Sequence, residues 1–266
     1  MQIFIMELFI DTHCHLDTTC KKLHLEHPSQ LRQQYLDQNC KYVIHVSCDP
    51  ESIECSLEYL DQPWVYCAIG IHPHDAKYYT PALHQKILQA HAHPKVLAWG
   101  EMGLDYHYMY SSPPEQEACF IKQIEAALEL AKPLVIHTRE AEEETLKLMK
   151  QYIPPATPMH VHCFTSSPKM AATLLEFFPN LYLGFTGVVT FKKSTALEEI
   201  IRFTPSNRWL LETDSPYLAP EPLRGKTCHS GYIPLIAQKI ANVRQISLQT
   251  CYEQAYTNSI NLYKIP

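Results

Sequence analysis

Eight short apolar runs recur along the chain, each followed by a stretch whose apolar residues are spaced like one face of a helix. The runs cover 8–11, 42–46, 64–70, 96–101, 133–137, 159–162, 181–185 and 208–212. Several are rich in Val, Ile and Leu with little polar alternation, the pattern of strands covered on both faces. Segments 28–39, 50–60, 81–93, 114–131, 139–151, 168–178 and 194–203 lie between them and carry helical periodicity. Most begin near a Pro, which suits the first turn of a helix. Segments 230–243 and 247–263 predict two closing helices. Eight strand-then-helix units predict an α/β fold, a (β/α)8 TIM barrel. A doubly wound open sheet is the alternative. It is disfavoured because no Gly-x-Gly-x-x-Gly follows the first run. The stretch 213–228, with Pro216, Pro220 and Pro222, predicts a long functional loop.

Composition narrows this picture. The chain has 266 residues, 46% of them hydrophobic, enough for one sizeable core and a single domain over 1–266. The net charge of −6 excludes a broadly basic surface. A nucleic-acid partner would have to be held by local Arg and Lys or by bound cations. No apolar run approaches about 20 residues, so no membrane span is predicted. Residues 1–5 are apolar but lack a basic leader and a cleavage site, so they do not read as a signal peptide, and either Met1 or Met6 serves as the start. The ten Cys are dispersed and include no Cys-x-x-Cys pair. That excludes a zinc ribbon and a small disulfide scaffold, and predicts reduced thiols in the cytoplasm. No protein partner is predicted, and a monomer is expected.

Chemistry enters at the ends of the runs. The 15 His include four His-x-His pairs: His13/His15, His72/His74, His91/His93 and His160/His162. In extended backbone this spacing puts both imidazoles on the same side. A single such pair lies within chance, so position has to mark the informative ones. His13 and His15 end the first run. Glu101 ends the fourth, His137 the fifth and His162 the sixth. The last run leads into Glu212 and Asp214. In a barrel these ends meet at one face. Four imidazoles and two carboxylates are therefore expected to converge. That inventory suits two divalent cations about 3.5–4 Å apart, bridged by one carboxylate. The donors fit Zn, Mn, Fe or Co, and also admit Mg.

These residues sit in a recognisable series: Phe9-Ile10-Asp11-Thr12-His13-Cys14-His15-Leu16-Asp17, Gly70-Ile71-His72-Pro73-His74, Gly100-Glu101-Met102-Gly103-Leu104-Asp105-Tyr106, Val135-Ile136-His137-Thr138-Arg139, His162-Cys163-Phe164-Thr165 and Leu211-Glu212-Thr213-Asp214-Ser215-Pro216. The series resembles the TatD family of metal-dependent hydrolases from first strand to last helix. The resemblance implies a TIM barrel of the metallo-dependent hydrolase type and a divalent-metal deoxyribonuclease, commonly 3′→5′ exonucleolytic, with DNA as substrate. Carried over by motif, it implies that His13, His15 and Asp214 hold one metal, that Glu101 bridges, and that His137 and His162 hold the second. Asp214 and Glu101 would be the catalytic pair, with Asp214 accepting a proton from a cation-activated water. The sequence departs from the family after Leu223-Arg224-Gly225-Lys226, where Thr227-Cys228-His229-Ser230-Gly231 replaces the usual Arg-Asn-Glu-Pro.

Other positions carry two readings. His72 binds substrate phosphate or orients a ligand. Arg139 clamps a phosphate or caps its own helix. Asp105 orients a ligand His or serves a plain turn, and Glu212 supports a ligand from behind. His160 reads as structural, His91 and His93 as remote from the mouth, and Cys14 and Cys163 as packing residues. The run Glu142-Glu143-Glu144 reads as a solvated helix face. Tyr106, Tyr108 and Tyr110 stack bases of a single strand or cover the rim. Two competing functions stand beside the nuclease. One is hydrolysis of a small amide, lactone or phosphoester, suggested by the acidic charge and the altered loop. The other is a metal-stabilised scaffold without catalysis, disfavoured by Asp214.

Overall fold

The computed structural model describes residues 8–266. Met1 and Met6, the two candidate starts, lie outside the described residues. The apolar runs become strands β1 (Phe9–Cys14), β2 (Cys40–Ser47), β3 (Val65–Ile69), β4 (Val96–Asp105), β5 (Leu134–Arg139), β6 (Met159–Val161), β7 (Leu181–Phe185) and β8 (Trp209–Leu211). They run parallel in chain order as one sheet. The helices between and after them are α1 (Leu16–Lys22), α2 (Pro28–Tyr35), α3 (Ser52–Glu58), α4 (Pro81–Ala90), α5 (Pro113–Glu129), α6 (Glu142–Tyr152), α7 (Pro168–Phe177), α8 (Thr195–Phe203), α9 (Ile233–Arg244) and α10 (Leu248–Tyr263). The architecture is the expected TIM barrel.

The helix starts follow from local chemistry. Pro stands in the first turn of α2, α4, α5, α7 and α9. Its missing N–H costs nothing there, because the first turn has no internal acceptor. Thr80, Ser167 and Ser247 accept hydrogen bonds from backbone N–H groups in the first turns of α4, α7 and α10. Glu142 departs from its expected role as part of a solvated face. Its carboxylate accepts from the Ser167 N–H and hydroxyl at 2.7 and 2.6 Å, tying α6 to the start of α7.

Two apolar layers hold the barrel. The larger one lies between sheet and helices and includes Phe9, Trp99, Ile136, Leu183 and Trp209. A second cluster joins Ile10, Ile44, Ala68, Ala98, Val135 and Leu210 with Tyr263 at the end of α10 and Ile265 just beyond it. Each fully buried Val, Leu or Ile contributes roughly 1.5–3 kcal/mol. His91, read from the sequence only as remote from the mouth, belongs to this packing. It stacks on Trp99 at 4.4 Å and 8°, and its Nε2–H donates to the Ile69 carbonyl at 3.0 Å.

Burial pushes the His91 pKa down to about 4, so the ring is neutral in the fold. An exposed His in the unfolded chain titrates near 6.5. The unfolded state therefore binds more protons between these values, and stability falls as pH drops through that window. Urea unfolding across this range should show His91→Phe with a shallower acid slope, by up to about 1.4 kcal/mol per pH unit. An unchanged slope would remove His91 from the acid response.

The seam between the first and last strands closes the barrel and builds the mouth. The Asp214 N–H donates to the His13 carbonyl at 2.9 Å, and the His15 N–H to the Ser215 carbonyl at 2.7 Å. Below this, the Asp11 carboxylate accepts from the Thr213 N–H at 2.9 Å and the Thr213 hydroxyl at 2.6 Å. Burial holds Asp11 up at about 7 against these bonds.

Candidate active site

The C-terminal strand ends surround a cavity of about 750 Å3. His15, Glu101, His137, His162 and Asp214 line it, with His72, His74, Asp105, Arg139, Tyr108 and Tyr217 around them. His13 is fully buried beside Glu101.

Glu101 divides this space. Its Oε2 faces His13 Nε2 at 3.4 Å and His15 Nε2 at 4.0 Å. Its Oε1 faces His137 Nδ1 at 2.8 Å and His162 Nε2 at 2.7 Å. Asp214 Oδ1 completes the first group, 3.4 Å from His15 Nε2 and 3.8 Å from His13 Nε2. Both carboxylates stay ionised. Burial would raise Glu101, but the surrounding His162 and His72 hold it well below the usual range. Asp214 is likewise raised by burial and held down by the His15 hydrogen bond and neighbouring rings.

The ring tautomers follow from the outward hydrogen bonds. His15 Nδ1–H donates to the Val46 carbonyl at 3.0 Å, so Nε2 is the nitrogen turned inward. His137 Nε2–H donates to Asp105 Oδ2 at 3.2 Å, so Nδ1 is the nitrogen turned inward. A carboxylate or carbonyl behind a His is the arrangement that readies the ring as a ligand. His137 Nδ1 and His162 Nε2 lie 3.1 Å apart, a separation compatible with one cation roughly 2.0–2.1 Å from each. His13 Nε2, wholly buried, has no hydrogen-bond partner. This unpartnered nitrogen between two ionised carboxylates fits a cation. Burial opposes protonation of His137, yet Asp105 and Glu101 override it and hold its pKa up at about 9. The field that draws a proton there draws a cation equally.

His72 is different. Its Nδ1 accepts the His74 backbone N–H at 3.0 Å. Burial holds the ring neutral, well below its ordinary pKa. The single proton therefore sits on Nε2, 3.5 Å from Glu101 Oε1. His72 faces the cavity as a donor, although its position alone would group it with metal-binding residues. Asp105 touches both the following turn and the neighbouring rings. Oδ1 accepts the His107 and Tyr108 N–H groups of the following turn, and Oδ2 holds His137 and approaches His74 Nε2 at 3.1 Å.

Glu212 lies beneath the site. Its Oε1 accepts the Cys163 N–H, and its Oε2 is 2.8 Å from His160 Nε2. His160 Nδ1 in turn meets the Tyr263 hydroxyl at 2.8 Å. Burial pushes Glu212 up to about 8. Arg139 does not cap its helix; it lies 5.1 Å over the Tyr108 ring. Residues 227–231 do not line the cavity, so the altered loop stands away from it. Sequence reasoning did not single out Cys48 and Tyr217, which line the cavity, and gave no role to His74 or to Asp11, which ties β1 to Thr213. Asp11 alone carried a signal, as the acid heading the His-x-His motif.

A barrel whose mouth gathers donors in this way accords with a metal-dependent hydrolase. The family model "TatD related DNase" matches residues 10–264, and the chain belongs to the TatD family. Among its relatives, a human protein named "3'-5' RNA nuclease TATDN2" is 39% identical over 97% of this chain, which spans only 35% of that longer protein. The Bacillus subtilis metal-dependent hydrolase YabD is 33% identical over 97% of this chain and 100% of its own. A Klebsiella pneumoniae protein named "3'-5' ssDNA/RNA exonuclease TatD" is 33% identical over 81% of this chain and 83% of its own. The barrel superposes on the Escherichia coli TatD homologue YjjV with a TM-score of 0.88 at 22% identity, covering 97% and 98% of the two chains. Among the described residues, no helix is long and apolar enough to cross a membrane.

Proposed function

We propose that this chain is a divalent-metal-dependent exonuclease that hydrolyses DNA phosphodiester bonds from the 3′ end. The observation that carries this is the division of Glu101, with Oε2 turned to His13 and His15 and Oε1 to His137 and His162. In this reading His13, His15 and Asp214 hold one cation, His137 and His162 a second, and Glu101 bridges. Two bound cations would supply charge neutralisation at the phosphodiester and a lowered pKa for the attacking water. The chain's own groups do the rest. Asp214, ionised and 16% exposed in its side chain, accepts the water proton. The water oxygen bonds to phosphorus, the P–O3′ bond breaks, and that proton is returned to the leaving oxygen. His72 Nε2–H donates to a phosphoryl oxygen, and Arg139 holds a phosphate at the rim. Asp105 keeps His137 in its productive tautomer. All ten cysteines are free thiols, which supports a reducing, cytosolic setting.

The test is degradation of 3′-labelled, 5′-labelled and circular DNA, with an RNA arm, in Mg or Mn. Shortening from the 3′ end with circles spared is expected. Asp214→Asn should lose about a hundredfold or more, the usual scale for a general base. Activity should fall steeply as salt rises, because phosphate contacts release counterions. Intact nucleic acid in every arm would overturn the reading.

A further inference from the structure

We propose that Tyr108 and Tyr110, with Arg139, form a stacking subsite for an unpaired base of the substrate strand beside the cleaved phosphodiester. This rests on the nucleic-acid reading above. The turn after β4 exposes three large apolar side chains in a row: Tyr108 is 44% accessible, Met109 58% and Tyr110 61%. Such exposure at a rim is unfavourable without an occupant. Tyr106, by contrast, packs on the core and donates its hydroxyl to Glu117, so covering the barrel is already its task. The Tyr108 and Tyr110 rings lie nearly parallel, 12° apart with centroids at 5.7 Å, and both line the cavity. His74 meets both edge-on, at 5.8 and 5.0 Å.

The turn that carries the rings is held in place before any ligand arrives. Asp105 Oδ1 accepts the Tyr108 N–H at 3.1 Å. Lys77 Nζ donates to the Tyr110 carbonyl at 2.9 Å. The Ser111 hydroxyl donates to the His74 carbonyl at 2.7 Å, and Gln116 Nε2 to the Ser111 carbonyl at 3.0 Å. A turn fixed this way gives up little backbone freedom when a base stacks on its rings. The Arg139 guanidinium, 5.1 Å over Tyr108, supplies a cation beside the ring. A charge next to an aromatic face matches a nucleotide, with its phosphate next to its base. Across the mouth, Tyr217 is 48% accessible with Lys22 Nζ 4.6 Å over its ring, a second pairing of the same kind. Bases within a duplex have both faces covered, so only an unpaired base can use this platform.

The test compares kcat/KM for a single-stranded oligonucleotide with that for the same strand lacking bases on its last three sugars. Wild type should prefer the base-bearing strand by about tenfold or more, the scale of base–aromatic stacking. The preference should collapse toward unity in Tyr108→Ala/Tyr110→Ala and survive in Tyr108→Phe/Tyr110→Phe. Quenching of a terminal 2-aminopurine in a Glu101→Gln background should fall in parallel. A wild type indifferent to the bases, or an alanine pair that keeps the preference, overturns the subsite and leaves the exonuclease standing. A wild type that cleaves neither strand overturns both.

Discussion

Glu101→Gln is expected to lower kcat/KM by about three orders of magnitude or more, on the scale of several kcal/mol that cation-mediated charge stabilisation supplies. The change preserves shape and removes a charge. Glutamine keeps one oxygen and places an NH2 where the other stood. Whichever way it turns, an NH2 in place of a carboxylate oxygen faces one pair of ring nitrogens: His137 Nδ1 and His162 Nε2 on one side, or His13 and His15 Nε2 on the other. One group must lose its shared ligand. Elemental analysis should therefore show lower cation content alongside the lost turnover, while circular dichroism stays native. Wild-type turnover in this variant would take Glu101 out of the chemistry.

Gly103→Ala should destabilise the fold by about 3–5 kcal/mol, the upper range for a single substitution. Two independent effects act at this position. Gly103 has φ +147, a conformation that side chains rarely adopt, and a Cβ there would stand 1.9 Å from the His137 carbonyl oxygen. The obstacle is backbone in the paired strand β5, where Gly103 registers against His137. No rotamer change can relieve it. Relief requires β5 to shift, and β5 carries His137. Thermal unfolding should show a loss of about 10 °C. An unshifted midpoint would mean that the strand yields without cost.

Much of the barrel was legible because strands covered on both faces are continuous apolar runs; β7 matches its run from Leu181 to Phe185. The ends were less so. β4 continues past Glu101 to Asp105, since Gly100 and Gly103 let the strand stay paired with β5 where composition suggested a stop. β1 reaches Cys14 because it stays paired with β2, Cys14 against His45, and Ser215, 201 positions away, bridges its other edge. Helix α1 went unread, as its seven residues include two Thr and begin directly after the His-x-His motif. At the site, the six motif residues all reach the mouth. His74 and Cys48 could not be placed from spacing, because their roles depend on neighbours from other strands. The donor role of His72 needed its bond to the His74 N–H.

The seam has a further consequence for the life of the chain. Asp11 and Thr213 are 202 positions apart, and so the mouth is sealed by contacts of very high contact order. Such contacts form late, after the loop-closure entropy of nearly the whole polypeptide has been spent. A nascent chain still missing β8 has no Asp214 to set beside His13 and His15. On the proposed reading, hydrolytic competence would therefore arrive with the final stages of folding, and a chain still missing β8 would leave its substrate untouched.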